Sequence, residues 1–330
     1  MSPEDYVEYQ VGHYLILIIS PLLLVCGLIG NVLSFCIFYP KAVKSRTQSS
    51  YTFLAVLAVF DSLALLLSSL RGFLAHAFQL DIVLACHCGV YLFFSFIATD
   101  MSVYVIIAMT VDRSISVFLP FKAKTLCTRN RALVSMSVIF VILIAVNCSI
   151  SFTYHRTEQT ITVSNMTTSV YTCGALMRYS EWLNFVWPWI DMTVLSFLPC
   201  VVLTTLNCAI LLRMRSQNKR VHVMGQPSDG RLASQKRTNI LLLSICLVFF
   251  ITTTPLTVLH IVEPYWSLDT PHQQAIHTMV SDIASQLLFW NNCLNFILYC
   301  LSGREFRNDL KRIFCRASEN SVSSDVTAMN

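Results

Sequence analysis

The chain has 330 residues, 55% of them hydrophobic and only 12% charged, with a formal net charge of +5. Soluble domains carry about 25% charged residues, and a mean hydropathy of +0.61 excludes a disordered chain, a coiled coil and a nucleic-acid-binding surface. Too few polar residues are present to cover a soluble core of this size, so the composition calls for a membrane protein made mostly of helices.

A helix crosses the hydrocarbon layer with about 20 mostly apolar residues. Seven runs reach that length in turn: 14–39, 51–70 interrupted by Asp61, 82–111 interrupted by Asp100, 132–154, 182–212 containing Asp191, 238–262, and 270–303 containing Asp282. Membrane-spanning strands would be about half as long and would alternate in polarity. The expected fold class is an all-α membrane protein, a seven-transmembrane helix bundle over residues 14–303 with an extracellular tail at 1–13. A short amphipathic eighth helix is expected at 304–316, because Phe306, Leu310, Ile313 and Phe314 fall on one helical stripe while Glu305, Asp309 and Lys311 face water. Cys315 at its end is a palmitoylation candidate. Residues 317–330, with Ser318, Ser321, Ser323, Ser324 and Thr327, read either as a regulatory cytoplasmic tail or as a plain solvated end.

Positive residues between the spans set the orientation. Lys41, Lys44 and Arg46 follow the first span, and Lys122, Lys124, Arg129 and Arg131 follow the third. Arg213, Arg215, Lys219, Arg220, Arg231, Lys236 and Arg237 follow the fifth, and Arg304, Arg307, Lys311, Arg312 and Arg316 follow the seventh. The opposite side has only Arg71, Arg156 and Arg178. The amino terminus is therefore expected outside and the carboxyl terminus in the cytoplasm of a multi-pass plasma-membrane protein, surrounded by lipid. Asn165-Met166-Thr167 is a glycosylation sequon on the outer side. Asn147-Cys148-Ser149 also matches but lies inside the fourth span, out of reach of that machinery.

An ionisable residue at membrane depth marks function by default. Asp61 in the second span, Asn31 in the first, Ser102 in the third and Asn291, Asn292 and Asn295 in the seventh can meet at one depth. Such oxygens suit a hard cation such as sodium, and a hydrogen-bonded network without an ion is equally compatible; no other metal or cofactor is expected. At the cytoplasmic end of the third span, Arg113 can pair with its neighbour Asp112 in one state and meet a partner in another. Most of the cysteines lie in apolar runs as buried thiols. Cys173 lies on the oxidising face, with Cys88 and Cys86 both in position to pair with it.

Taken in order, these residues resemble the rhodopsin-like (class A) family of G-protein-coupled receptors. The resemblance covers residues 14–316 and rests on Gly30-Asn31, Leu57-Ala58-Val59-Phe60-Asp61, Cys88, Asp112-Arg113, Pro199, Pro255, Asn295-Phe296-Ile297-Leu298-Tyr299, Phe306 and Arg307. The family's Asp-Arg-Tyr reads Asp112-Arg113-Ser114 here, and Phe296 stands for the proline of Asn-Pro-x-x-Tyr. Thr253 replaces the tryptophan two residues before the helix-six proline, and Asn207 replaces a helix-five tyrosine. The Phe296 and Thr253 variants are similar to invertebrate FMRFamide- and myosuppressin-type neuropeptide receptors. The resemblance implies a Cys88–Cys173 disulfide, activation through Arg113, Phe249, Pro255 and Tyr299, and contact of Pro120 and Phe121 with a heterotrimeric G protein. It further implies arrestin and receptor kinases as partners.

The ligand pocket is expected at Ser95, Phe96, Thr99, Asp100, Asp191 and Asp282. Ser95 stands where amine receptors carry an aspartate, and Phe289 where opsins carry the Schiff-base lysine, so a monoamine or retinal ligand is disfavoured. Acids dominate the outer side and concentrate cations. With Trp187, Trp189, Tyr265, Trp266 and Trp290 as pocket walls or as an interfacial belt, the pattern suits a cationic, aromatic extracellular peptide such as an Arg-Phe-amide terminus. The alternative is a polytopic transporter, which would show two related halves; no internal repeat is found. An enzyme is not expected, since neither HExxH nor GxSxG occurs.

Overall fold

The computed structural model describes residues 2–45, 47–85, 87–163, 166–223, 230–302, 305–313 and 315. Cys86, Asn165, Phe314 and residues 316–330 lie outside the described residues.

Among the described residues, seven long helices follow one another: α1 Val7–Lys44, α2 Ser50–Phe78, α3 Cys88–Phe118, α4 Arg129–Thr153, α5 over residues 182–223, α6 Gly230–Val262 and α7 Pro271–Ser302. Among the described residues, six helices are long and apolar enough to cross a membrane. The remaining one, α7, is 32 residues long but turns Gln286, Asn291, Asn292 and Asn295 into the bundle, where all four are buried. The outward face of α1 carries Ile18, Leu22, Val25, Ile29 and Val32 at helical spacing, each more than half exposed. In water that stripe would aggregate; in lipid it is solvated.

The first helix starts at Val7 rather than at residue 14, so most of the expected tail is helical. Glu8 in its first turn suits the positive end of the helix dipole and pairs with His272 of α7 at 3.2 Å. The third helix starts at Cys88, after a separate turn at Ile82–Ala85. A π-helical turn at Leu65–Ser69 offsets the upper part of α2, which ends where Gln79 adopts a left-handed conformation (φ 54°). In the bundle α3 packs against α2, α4 and α5, and α7 packs between α1 and α6.

One element lay outside the expected all-helical pattern. Strands β1 Tyr154–Val163 and β2 Met166–Ala175 form an antiparallel hairpin between α4 and α5. Its sequence is rich in Thr, Val and Ile, which favour a pleated backbone. Cys173, opposite Arg156 in the ladder, is disulfide-bonded to Cys88 with their Cα atoms 6.0 Å apart. The neighbouring Gly89 permits this junction: a Cβ there would sit 2.5 Å from the Ser151 carbonyl oxygen and 2.7 Å from that of Tyr154. Cys173→Ser is expected to remove on the order of 2–5 kcal/mol of stability and to lower surface expression measured by antibody staining. Unchanged expression together with an unchanged thermal midpoint would refute that role.

Residues 305–313 are helical. Phe306 is buried, its ring 5.4 Å from Phe38 and 5.8 Å from Tyr299 and from Phe296. Leu310 and Ile313 join the same cluster. Asp309, expected to face water, instead is half-buried and ion-paired with Lys41 at the end of α1. A lysine in the last turn of α1 and an acid on the neighbouring segment neutralise each other there. Cys315 is exposed.

Candidate functional site

Three polar features lie along the bundle axis, and the first is a cavity of about 520 Å³ in the half that carries the disulfide. All six expected pocket residues, Ser95, Phe96, Thr99, Asp100, Asp191 and Asp282, line it. The expected aromatic walls are mostly absent: Trp189, Tyr265 and Trp290 face outward. Trp187 packs behind Phe96 instead, with ring centroids 5.8 Å apart. The cavity acids have few basic neighbours. Its one arginine, Arg71, is engaged by Asp81 at 3.1 Å, and His260 approaches Asp191 at 3.8 Å. Asp100 is held from below by Asn147 of α4, whose amide donates to Asp100 Oδ2 at 2.8 Å. The sequence match to a sequon obscured this buried amide; its position inside an apolar span was the signal for a structural role.

The second feature is Asp61, fully buried. Ser102 Oγ donates to Asp61 Oδ1, and Asn295 Nδ2 donates to Oδ2 at 2.8 Å. Asn31 and Asn292 do not reach the carboxylate but tie α1 to α7, with Asn31 Nδ2 donating to the Asn292 carbonyl at 3.1 Å. Asn291 is buried with its Oδ1 unpartnered. Close approach of α1 and α7 depends on Gly30, where a Cβ would fall 2.8 Å from the Phe296 side chain. A carboxylate with spare lone pairs, a hydroxyl whose proton is already committed, and an orphan amide oxygen fit a hard cation. Among the described residues, no group of three or more His, Cys, Asp or Glu could hold a metal ion.

The third feature lies at the opposite end of the bundle from the disulfide. Asp112 Oδ1 accepts a hydrogen bond from Ser49 Oγ at 2.6 Å. Among the described residues Asp112 and Arg113 form no ion pair, and Arg113 Nε is buried without a hydrogen-bond partner. The pairing of these neighbours expected in one state is not made here, where Asp112 accepts from Ser49 instead. Pro120 opens a short helix at Pro120–Leu126, and Phe121 beside it is 93% exposed.

Between the cavity and this end, Phe249 of α6 is fully buried and Tyr299 of α7 nearly so. Pro255 sits inside α6 and cannot donate a helical amide bond. Thr253 Oγ1 donates back to the Phe249 carbonyl at 2.8 Å, and Thr252 Oγ1 to that of Val248 at 2.8 Å. Such back-bonding bends helices, so threonines and proline act on one stretch of α6. Asn207 Nδ2 reaches Cys246 Sγ at 3.0 Å, linking α5 to α6 where the family has a tyrosine. The side chains of Lys236 and Arg237 lie outside the described residues.

A family model described as 7 transmembrane receptor (rhodopsin family) matches residues 30–299. Among curated proteins, the chain is 26% identical to an FMRFamide receptor of Drosophila melanogaster over 94% of this chain and 54% of that receptor. It is 25% identical to a thyrotropin-releasing hormone receptor of Gallus gallus over 95% of this chain and 81% of the relative. A histamine H2 receptor of Cavia porcellus is 25% identical over 99% of this chain and 86% of its own length. The chain thus spans about half the length of the fly receptor it matches. With the match running from Gly30 through Tyr299, across the Asp61, Arg113 and Phe249 positions, the chain belongs to the 7 transmembrane receptor (rhodopsin) family, a family of receptors rather than of enzymes or transporters.

Proposed function

We propose that the chain is a plasma-membrane receptor that binds an extracellular peptide in the cavity beside the disulfide and activates a heterotrimeric G protein at the Arg113 end. The observation that carries this reading is the cavity itself: six residues singled out for ligand contact line one space of about 520 Å³. Similarity to the FMRFamide and thyrotropin-releasing hormone receptors supports a peptide over a monoamine, as does Ser95. The amino terminus is outside and the carboxyl terminus cytoplasmic, on the strength of the lysine and arginine asymmetry. A carboxyl-terminal epitope accessible on intact cells would overturn that orientation. Asn165 is a glycosylation site and Cys315 a palmitoylation site on this topology, and receptor kinases and arrestin act on residues 317–330.

Asp61, Ser102 and the orphan oxygen of Asn291 would hold a sodium ion, which would supply a positive charge that compensates the buried carboxylate. Asp61 provides the charge, Ser102 orients it, and Asn295 ties it to α7.

The test of function is guanine-nucleotide exchange on membranes carrying the chain, challenged with a panel of amidated neuropeptides and followed by calcium and cyclic-nucleotide readouts. Solute flux without peptide-driven exchange would overturn the receptor reading. Phe121→Ala is expected to lower exchange severalfold at unchanged surface abundance, because an apolar ring 93% exposed to solvent contributes little to folding and is free to enter a partner's pocket. A normal exchange rate in that variant would remove Phe121 from the interface.

A further inference from the structure

We propose that Asp100 and Asp191 form a guanidinium-binding subsite in the floor of the cavity, positioned by Asn147 and capped by His260. This inference rests on the cavity being a ligand site, as proposed above, and names the chemistry it selects.

Asp100 is 2% exposed yet lines the cavity. Its Oδ2 accepts from Asn147 Nδ2 at 2.8 Å, while its Oδ1 has no hydrogen-bond partner. Asn147 is itself anchored on α4, donating also to the Leu143 carbonyl at 3.0 Å. One carboxylate oxygen is thus pinned by the protein and the other is buried in the cavity wall without a partner. Asp191 of α5 is 6% exposed, lines the same cavity and lies within electrostatic reach of Asp100. Among the described residues, the one ion pair to either carboxylate is from His260, at 3.8 Å from Asp191 Oδ2 and 39% exposed, a loose contact that an incoming cation can displace.

Two buried carboxylates without a firm counter-charge are costly. A cation placed between them relieves that cost. Of the cations a peptide carries, a guanidinium offers five donors in a planar fork that can serve oxygens on two helices at once, whereas an ammonium is a strongly hydrated point charge. The two carboxylates sit on α3 and α5, so a bridging guanidinium would also draw the upper part of α5 toward α3.

The test uses the purified full chain in detergent and three small probes that share an α-amino group: argininamide, lysinamide and citrullinamide, the last having a neutral side chain nearly isosteric with that of arginine. Thermal unfolding midpoints against probe concentration give apparent dissociation constants. Argininamide is expected to bind about 30-fold tighter than citrullinamide and tighter than lysinamide. In Asp100→Asn, which keeps an acceptor for Asn147, and in Asp191→Asn, that preference should collapse to about 1. Asp269→Asn, an acid at the same end outside the cavity lining, should leave it unchanged. Asn147→Ala should reduce the argininamide preference while leaving citrullinamide binding as it was, a pattern that a merely structural asparagine would not produce.

Equal binding of argininamide and citrullinamide, equal binding of argininamide and lysinamide, no stabilisation by any probe, or a preference that survives both aspartate substitutions would each overturn the subsite. The wild-type comparison decides even where a variant fails to fold. Peptide-driven nucleotide exchange without an arginine preference would sink the subsite alone. An arginine preference without exchange by any peptide would sink the receptor reading alone.

Discussion

Arg113→Ala is expected to abolish agonist-stimulated nucleotide exchange while leaving the cavity able to bind its ligand. On the proposed function, ligand and G protein bind opposite ends of the bundle, so each would act on the other only through a conformation that both prefer. The guanidinium of Arg113 is poised for that role. Its Nε is buried and unpartnered, and the adjacent Asp112 accepts a hydrogen bond from Ser49, just before α2, at 2.6 Å. A half-buried arginine whose Nε lacks an acceptor can take one from an incoming G-protein segment. The stretch of α6 with Pro255, Thr252 and Thr253 is where a bend can open access to it. Alanine removes an uncompensated buried donor, so the fold should keep its stability. The expected loss in exchange is about 100-fold, near the upper range of a coupling free energy of about 3 kcal/mol. The measurement is nucleotide exchange at matched surface expression, alongside ligand binding; a full response would remove Arg113 from the mechanism.

The seven helices were legible because each needs a long apolar run, and lipid leaves a helix few alternatives. The cavity acids were legible for the complementary reason: an aspartate in such a run has to face the interior. What escaped were features set by direction rather than composition. The hairpin at Tyr154–Ala175 joins two spans, and its short threonine-rich alternation is a weak signal beside their hydropathy. Asn147 was visible only as a sequon, although its depth required a partner, which proved to be Asp100. Ser49 carried no signal, since a hydroxyl just outside a span has many possible partners. Phe296 is the clearest case of a local departure with a structural answer: it fills the space above Gly30 and packs edge-on against Phe306. A proline there would do neither.

Asp61 separates packing from ion binding, because two substitutions act on different parts of its environment. Ser102 and Asn295 both donate to its carboxylate. Asp61→Leu would leave two buried donors without acceptors, at about 1–3 kcal/mol each, so a destabilisation of about 2–5 kcal/mol and a clear fall in thermal midpoint are expected. Asp61→Asn keeps one carbonyl acceptor and removes the charge, so the fold should persist. A bound sodium stabilises whichever conformation holds it, by an amount that grows as the logarithm of one plus its concentration over its dissociation constant. The wild-type midpoint should therefore rise as sodium replaces potassium at constant ionic strength, and the Asp61→Asn midpoint should not. Linkage then requires that sodium and an agonist preferring the other conformation weaken each other by the same factor. A sodium response that survives in Asp61→Asn would place the ion elsewhere, and a flat wild-type response would leave Asp61 as a hydrogen-bonded junction between α2, α3 and α7.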